Sequence, residues 1–277
     1  MTSARGGTQS IERSIRLLRA LASRARFGWR LTDLARHCEM DKGTARRILH
    51  CLVRERLAER GLDDQRYLPG PLLFELSLSL PEHDEFRTRS FPLLERLARE
   101  TRTVAFLCLR SGDDLVCAAR VGEVPEQAFT LNPGTRRPLI NSSAGAALLA
   151  AMPEDEREAV FERNCRSLEP SGYGRGTLER LLKRSVEMGM GYNEGCYVPS
   201  WNSYAHALRS EQEAWAAVMI SAPANHFVAE QLRSDLEMLR TTSERMQDLA
   251  NIVFARSRRA APVPEGADPF PEPKQPS

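Results

Sequence analysis

Near the start of the chain, apolar positions repeat at helical spacing in two short runs. Leu31, Leu34 and Ala35 share one face of the first, and Ala45, Ile48, Leu49 and Leu52 share one face of the second. Cys38, Glu39 and Met40 break the pattern between them, and Asp41 stands where the second helix needs a cap. A longer amphipathic helix precedes the pair. It starts at Gln9 or Ser10, turns Ile11, Ile15, Leu17, Leu18 and Leu21 inward, and ends within 22–28. The second short helix ends near Glu55 or Arg56. Residues 57–60 then suit a short strand, 61–65 a turn rich in Asp and Gly, and 66–68 a return strand stopped by Pro69, Gly70 and Pro71. Helices followed by a two-stranded hairpin predict a winged helix-turn-helix domain. The two-helix pattern alone also fits a helical hairpin with a solvated basic face, and the hairpin downstream separates the two.

Beyond the wing, Leu72, Leu73, Leu76 and Leu80 form an apolar stripe on a short helix with little core of its own. Pro81 punctuates, and a second helix over about 85–100 turns Phe91, Leu94 and Leu97 inward. Strand-like runs follow at 103–110 and 115–121 across a tight turn at 111–114, with a shorter one at 129–131. Asn141 and Ser142 cap a small-residue helix ending at Met152 and Pro153, and helices follow at 154–164 and 177–188. Two strands, 203–208 and 214–221, precede a long helix over 229–256 whose inward face is Leu232, Leu236, Leu239, Met246, Leu249, Ile252 and Val253. Antiparallel strands with helices before, within and after predict an α+β class.

Composition adds an asymmetry. The 277 residues carry a formal charge of only +2, yet residues 1–80 hold 15 Arg and Lys against 9 Asp and Glu. A basic first third on a mildly acidic remainder suits a nucleic-acid module joined to something else. None of the 6 cysteines forms a C-x-x-C pair, and Cys51 and Cys108 lie in apolar patterns as core thiols. The sequence shows no apolar signal segment at its start and no apolar run long enough to span a bilayer, so a cytoplasmic chain without membrane contact is expected.

With its apolar face inward, the second short helix presents Lys42, Gly43, Thr44, Arg46, Arg47 and His50 outward. Such a helix fits the major groove, and its cations and hydroxyl suit phosphates and base edges. Arg60 and Arg66 flank the wing turn, where they would meet the DNA backbone. Catalytic signals are weak. There is no G-x-S-x-G elbow, Gly172, Gly174 and Gly176 read as a loop, and His206 reads as a satisfied structural residue within a strand. No catalytic residue, metal site or cofactor is expected.

The segments SIERSIRLLRAL, LTDLARHCEMDKGTARRILHCLVRERLAER and QRYLPGPLLFEL resemble, in order and spacing, the DNA-binding half of IclR-type transcriptional regulators. Downstream, RRPLINSSAGAALLAAMPEDER, GYNEGCYVPSWNSYAHAL and AWAAVMISAPA resemble segments of the same family's effector domain. The resemblance implies a winged helix-turn-helix over 8–70, a linker helix over 71–84 that takes part in dimerisation, and a GAF-like effector-binding domain over 85–257. The Pro-rich stretch 258–277 is expected to be a disordered tail. Effector-contacting positions of the family fall on Ser143, Ala144, Asn193, Trp201, Ser203, Met219 and Ser221. Many members have Cys where this chain has Ser203, a carboxylate where it has Asn193, and Ser where it has Met219. Trp201 and the missing carboxylate suit a ligand with a flat apolar body and an anionic head, such as an aromatic acid; core packing is the other reading of Trp201 and Met219. The implied function is a transcriptional regulator, repressor or activator, acting as a homodimer or tetramer on double-stranded operator DNA under control of a small-molecule effector. A ligand sensor that does not bind DNA, or a protein-interaction scaffold, is the alternative.

Overall fold

A computed structural model describes residues 5–25, 27–122, 131–167, 174–195, 199–210 and 213–258. The first unit comprises α1 (Arg5–Ser23), α2 (Leu31–His37), α3 (Lys42–Arg54), β1 (Ala58–Arg60) and β2 (Tyr67–Pro69). Leu17, Leu21, Leu34 and Leu49 are fully buried at its centre. Trp29 locks the hairpin to the helices. Its indole Nε1 donates to the Ala20 carbonyl at 2.8 Å, its ring stacks on His37, and its backbone exchanges hydrogen bonds of 2.9 and 2.8 Å with Tyr67 of β2. The winged arrangement predicted from the spacing is present, with three corrections. The first helix starts at Arg5, ahead of the expected Gln9 or Ser10. Ile11 and Ile15 are exposed, because α1 is buried only from Leu17 onward. Cys51 is exposed on α3 and is not a core thiol.

Two helices lead onward, α4 (Leu72–Ser77) and α5 (Pro81–Thr101). Pro81 is the first residue of α5, where its missing N–H costs nothing and its fixed φ suits the helix. The helix therefore starts before the expected residue 85. No residue of α4 is buried, and Phe74, Leu76, Leu78 and Leu80 all stand exposed. Phe91 is also exposed, whereas Leu94 and Leu97 are buried as predicted.

The second unit is built on a six-stranded antiparallel sheet. Its strands are β3 (Val104–Ser111), β4 (Asp114–Val121), β5 (Arg136–Pro138), β6 (Gly191–Glu194), β7 (Trp201–Arg209) and β8 (Ala214–Pro223), in the spatial order β5-β4-β3-β8-β7-β6. One face packs on α5 and α9 (Ala229–Arg258) through Leu94, Leu97, Tyr204, Ile220, Leu239 and Met246. The other packs on α6 (Ser143–Ala150), α7 (Glu154–Ser167) and α8 (Arg175–Met188) through Phe106, Ala205, Met219, Leu148 and Phe161. This is the α+β sheet with flanking helices that the pattern predicts. Two strands were not foreseen, β5 and β6, because three or four residues flanked by Gly or Pro are too short to show alternation. The strand expected at 129–131 falls mostly outside the described residues, as does the tail beyond 258. Ile252 is half exposed, so the inward stripe of α9 is narrower than expected.

Two glycines set the position of α6. A Cβ on Gly191 of β6 would lie 1.9 Å from the Ser143 carbonyl oxygen, and one on Gly145 would lie 1.9 Å from that of Leu139. Both obstacles are backbone, so the start of α6 sits against the sheet at a distance only glycine permits. His206 differs from expectation. It lies within β7, but its Nδ1 is buried without a partner, and burial pushes the ring below its ordinary pKa.

Candidate functional site

The outward face of α3 is assembled by its own cap. Asp41 accepts from the Thr44 N–H at 2.7 Å, which fixes the first turn and holds the carboxyl below its usual range. Lys42, Gly43, Arg46, Arg47 and His50 are exposed, and Thr44 is half-buried. Arg47 leans back, its Nη2 donating to Thr44 Oγ1 at 3.3 Å. Among the described residues, no carboxylate pairs with Lys42, Arg46 or Arg47, in contrast to Arg54 and Arg56, which pair with Glu55 and Glu75. Three uncompensated cations on one helical face form a surface ready for a polyanion.

The two wing arginines differ. Arg60 lies exposed beside the Tyr67 ring, 5.7 Å from its centre. Arg66 is turned inward, paired with Asp64 at 3.1 Å and donating to the carbonyls of Phe27 and Gly28 at 3.2 and 3.4 Å. The wing tip itself presents Leu62, 91% exposed, beside the exposed Asp63 and Asp64.

In the second unit, register gathers residues far apart in sequence. Asn193 pairs with Ser203, Ser203 with Ser221, and Ser221 with Val104, which makes one row across β6, β7, β8 and β3. Directly paired residues share a face. Ala205 and Met219 form the next row, and Trp201 follows at the sheet end. The Ser143 hydroxyl at the start of α6 donates to Ser203 Oγ at 2.9 Å. Ser142 caps α6 by accepting from the Gly145 N–H, and Ser143 and Ala144 are fully buried beneath it. Asn193 is 4% exposed and its Oδ1 has no partner. Such an orphan acceptor is costly unless something occupies the space beside it. All seven positions read from the resemblance therefore lie on one face of the sheet, around the first turn of α6. Nothing in the spacing marks Gly191, although it sets the approach of that turn.

Comparison with known proteins agrees with this division. Residues 10–61 match the family description "IclR helix-turn-helix domain", and residues 81–248 match "Bacterial transcriptional regulator IclR C-terminal". The chain belongs to the IclR family. It is 29% identical over 158 residues to the HTH-type transcriptional regulator BhcR of Paracoccus denitrificans, covering 57% of this chain and 56% of that protein. It is 27% identical over 185 residues to the HTH-type transcriptional regulator TtgV of Pseudomonas putida, covering 67% of this chain and 70% of that protein. The match thus spans little more than half the length of BhcR. The fold is also that of an IclR homolog from Microbacterium hydrocarbonoxydans solved in complex with 4-hydroxybenzoate, with a TM-score of 0.68, 23% identity and coverage of 88% and 99% of the two chains. An IclR-family regulator from Alicyclobacillus acidocaldarius gives the same TM-score of 0.68 at 19% identity, over 87% and 98%. Among the described residues, no helix is long and apolar enough to cross a membrane.

Proposed function

We propose that this IclR-family chain is a transcriptional regulator that reads operator DNA with α3 and responds to a small organic acid held between α6 and the sheet. The observation that carries the first half is the outward face of α3, where Lys42, Arg46 and Arg47 stand exposed without carboxylate partners. Thr44 and His50 flank them and complete the reading face, and Gly43 lets the backbone approach a phosphate closely. Arg60 serves the wing. Arg66 has a smaller part in contact, since its guanidinium is already engaged by Asp64 and two carbonyls.

The chain acts as a homodimer. The linker supports this, because Phe74, Leu76, Leu78 and Leu80 leave an apolar stripe uncovered on α4 and the segment that follows it. A second copy laid along this stripe would carry two α3 helices to successive major grooves of a near-palindromic site. The linker also touches the reader directly. Arg56, two residues past the end of α3, pairs with Glu75 of α4 at 2.7 Å, and the Leu72 N–H donates to the Arg56 carbonyl at 3.1 Å. Effector binding shifts the dimer between arrangements through this contact, to the extent that it favours one state over the other.

For the effector, Ser143, Ala144, Asn193, Trp201, Ser203, Met219 and Ser221 form the binding face. The orphan Asn193 oxygen and the first turn of α6 give it polar anchors, and Trp201 and Met219 give it an apolar wall. The 4-hydroxybenzoate in the Microbacterium homolog fits an aromatic acid here.

A gel shift on the DNA upstream of the chain's own gene tests the reading. A discrete complex that survives competitor DNA and weakens with salt is expected. Binding wholly removed by an equal mass of competitor would contradict specific regulation from that site.

A further inference from the structure

The turn of the wing is held by its own side chains, and the way they hold it decides which charge the wing shows. α3 ends in a Schellman motif. Arg56 takes a left-handed backbone, φ 59, its N–H donates to the Val53 carbonyl at 3.0 Å, and the Leu57 N–H donates to that of Leu52 at 2.8 Å. The chain leaves the helix axis there, and β1 packs on α3. The Gly61 N–H closes the hairpin onto the Arg66 carbonyl at 2.8 Å. Within the turn, Gln65 Nε2 donates to the Leu62 carbonyl at 2.7 Å, and Asp64 Oδ1 accepts from the Arg66 N–H at 3.1 Å. Asp64 lies so close over Gly61 that a Cβ there would sit 2.7 Å from its Oδ1.

The cation of this turn is withdrawn. Asp64 and the carbonyls of Phe27 and Gly28 hold the Arg66 guanidinium, and Asp64 is engaged by Arg66 in return. Asp63 is exposed and has no ion-pair or hydrogen-bond partner among the described residues. It stands beside Leu62, more exposed than any other large apolar side chain among them. An element that only gripped phosphates would show the opposite charge, as α3 does with Lys42, Arg46 and Arg47.

A carboxylate beside DNA gains only from a donor on a base edge, because every phosphate repels it. With α3 in the major groove, the groove next to it is the minor one, about 6 Å wide. There A·T pairs show acceptors alone, and the guanine N2 amino group is the one donor. Runs of A·T also narrow that groove and make its potential more negative. Attraction to G·C and repulsion from A·T therefore act in the same direction.

We propose that Asp63 is a specificity-determining residue of the reader: the wing tip faces the minor groove beside each α3 half-site, and its free carboxylate selects G·C pairs there and rejects A·T runs. This rests on the operator reading above. On it, α3 and Arg60 supply the affinity, and the wing tip supplies discrimination at positions α3 does not touch.

The test is selection of binding sites from a randomised DNA duplex library by the full chain, by Asp63→Ala and by Asp63→Arg. The substituted position is exposed and unpartnered, and thermal unfolding checks that each variant folds. All three proteins select the same core half-site. The unaltered chain adds G·C pairs in the flank, Asp63→Ala shows no flank preference, and Asp63→Arg turns it toward A·T. On one selected site, exchanging the flanking G·C pairs for A·T weakens the unaltered chain at least about fivefold. Asp63→Ala binds the A·T-flanked site more tightly than the unaltered chain does, since a repulsion has been removed. A core half-site whose flank is random or A·T-rich with the unaltered chain overturns the proposal and leaves the operator reading standing. So does a G·C flank that survives in Asp63→Ala. A library from which the unaltered chain selects no site overturns the operator reading, and this proposal with it. The flank preference is read first on the unaltered protein, so a variant that fails to fold does not shield the proposal.

Discussion

The reader and the sensor use their polar residues in opposite ways. In the winged helix the side chains proposed to read DNA point outward. Lys42, Arg46 and Arg47 are exposed, and the fold asks only that Leu34, Leu49 and Leu17 hold the helix behind them. In the second unit the polar groups proposed to hold the effector point inward. Ser143, Asn193, Ser203 and Ser221 are all buried, and they meet only because three strands and the start of α6 align. A surface site tolerates changes that preserve its scaffold. A buried site is part of the scaffold, so a change there alters folding and recognition together.

That contrast can be broken at several points. The largest expected effect on stability is at Gly191. Gly191→Ala forces a Cβ into the Ser143 carbonyl, and such overpacking costs about 3 kcal/mol, read as an earlier unfolding midpoint in denaturant. Effector binding is lost with it. By comparison, Gly43→Ala on α3 meets nothing closer than the Asp41 side chain at 3.2 Å and leaves the midpoint nearly unchanged. If Gly191→Ala were equally silent, the close approach of α6 to the sheet would not be a requirement of the fold.

Ser203→Phe comes next. It forces a ring between β7 and α6, where the Ser143 and Ser203 hydroxyls already meet at 2.9 Å, so the protein melts earlier and its operator complex no longer responds to any acid that affects the unaltered protein. Ser203→Ala, which only removes the acceptor for the Ser143 hydroxyl, weakens the response without abolishing it. A Ser203→Phe protein that melts normally and responds normally would place the effector elsewhere.

The smallest effect is a pH slope. The folded pKa of His206 lies below the unfolded value near 6.5, so the unfolded chain takes up the proton first. Stability is therefore independent of this group above about pH 6.5 and declines as pH falls below it. Denaturant titrations at successive pH values should show this part of the decline disappear in His206→Phe.

How much of this was readable in the sequence follows the same division. The winged helix was legible almost residue by residue, because its helices carry clean apolar spacing and its charged face is simply what remains. Ile11 and Ile15 were misplaced because periodicity states which face is apolar and not whether anything covers it. The order of helices and most strands in the second unit was equally plain. What the pattern could not show was register. Asn193 and Ser203 become neighbours only through β6, a strand of four residues that leaves no alternation to detect. The role of Gly191 depends on an approach distance, which spacing along one chain does not encode. The Arg66 pairing with Asp64, two residues away, is local, yet its direction is set by the distant Phe27 and Gly28 carbonyls.

The salt dependence of operator binding tests the central claim most directly. Affinity of the unaltered chain and of Arg46→Ala with Arg47→Ala would be compared on one DNA fragment between about 50 and 200 mM salt, with thermal unfolding as the control for folding. If α3 delivers these two cations to DNA, the double variant melts like the parent, loses on the order of a hundredfold in affinity, and shows a log–log salt slope shallower by about two. An unchanged affinity and slope in a folded double variant would contradict the assignment of α3 as the reading helix.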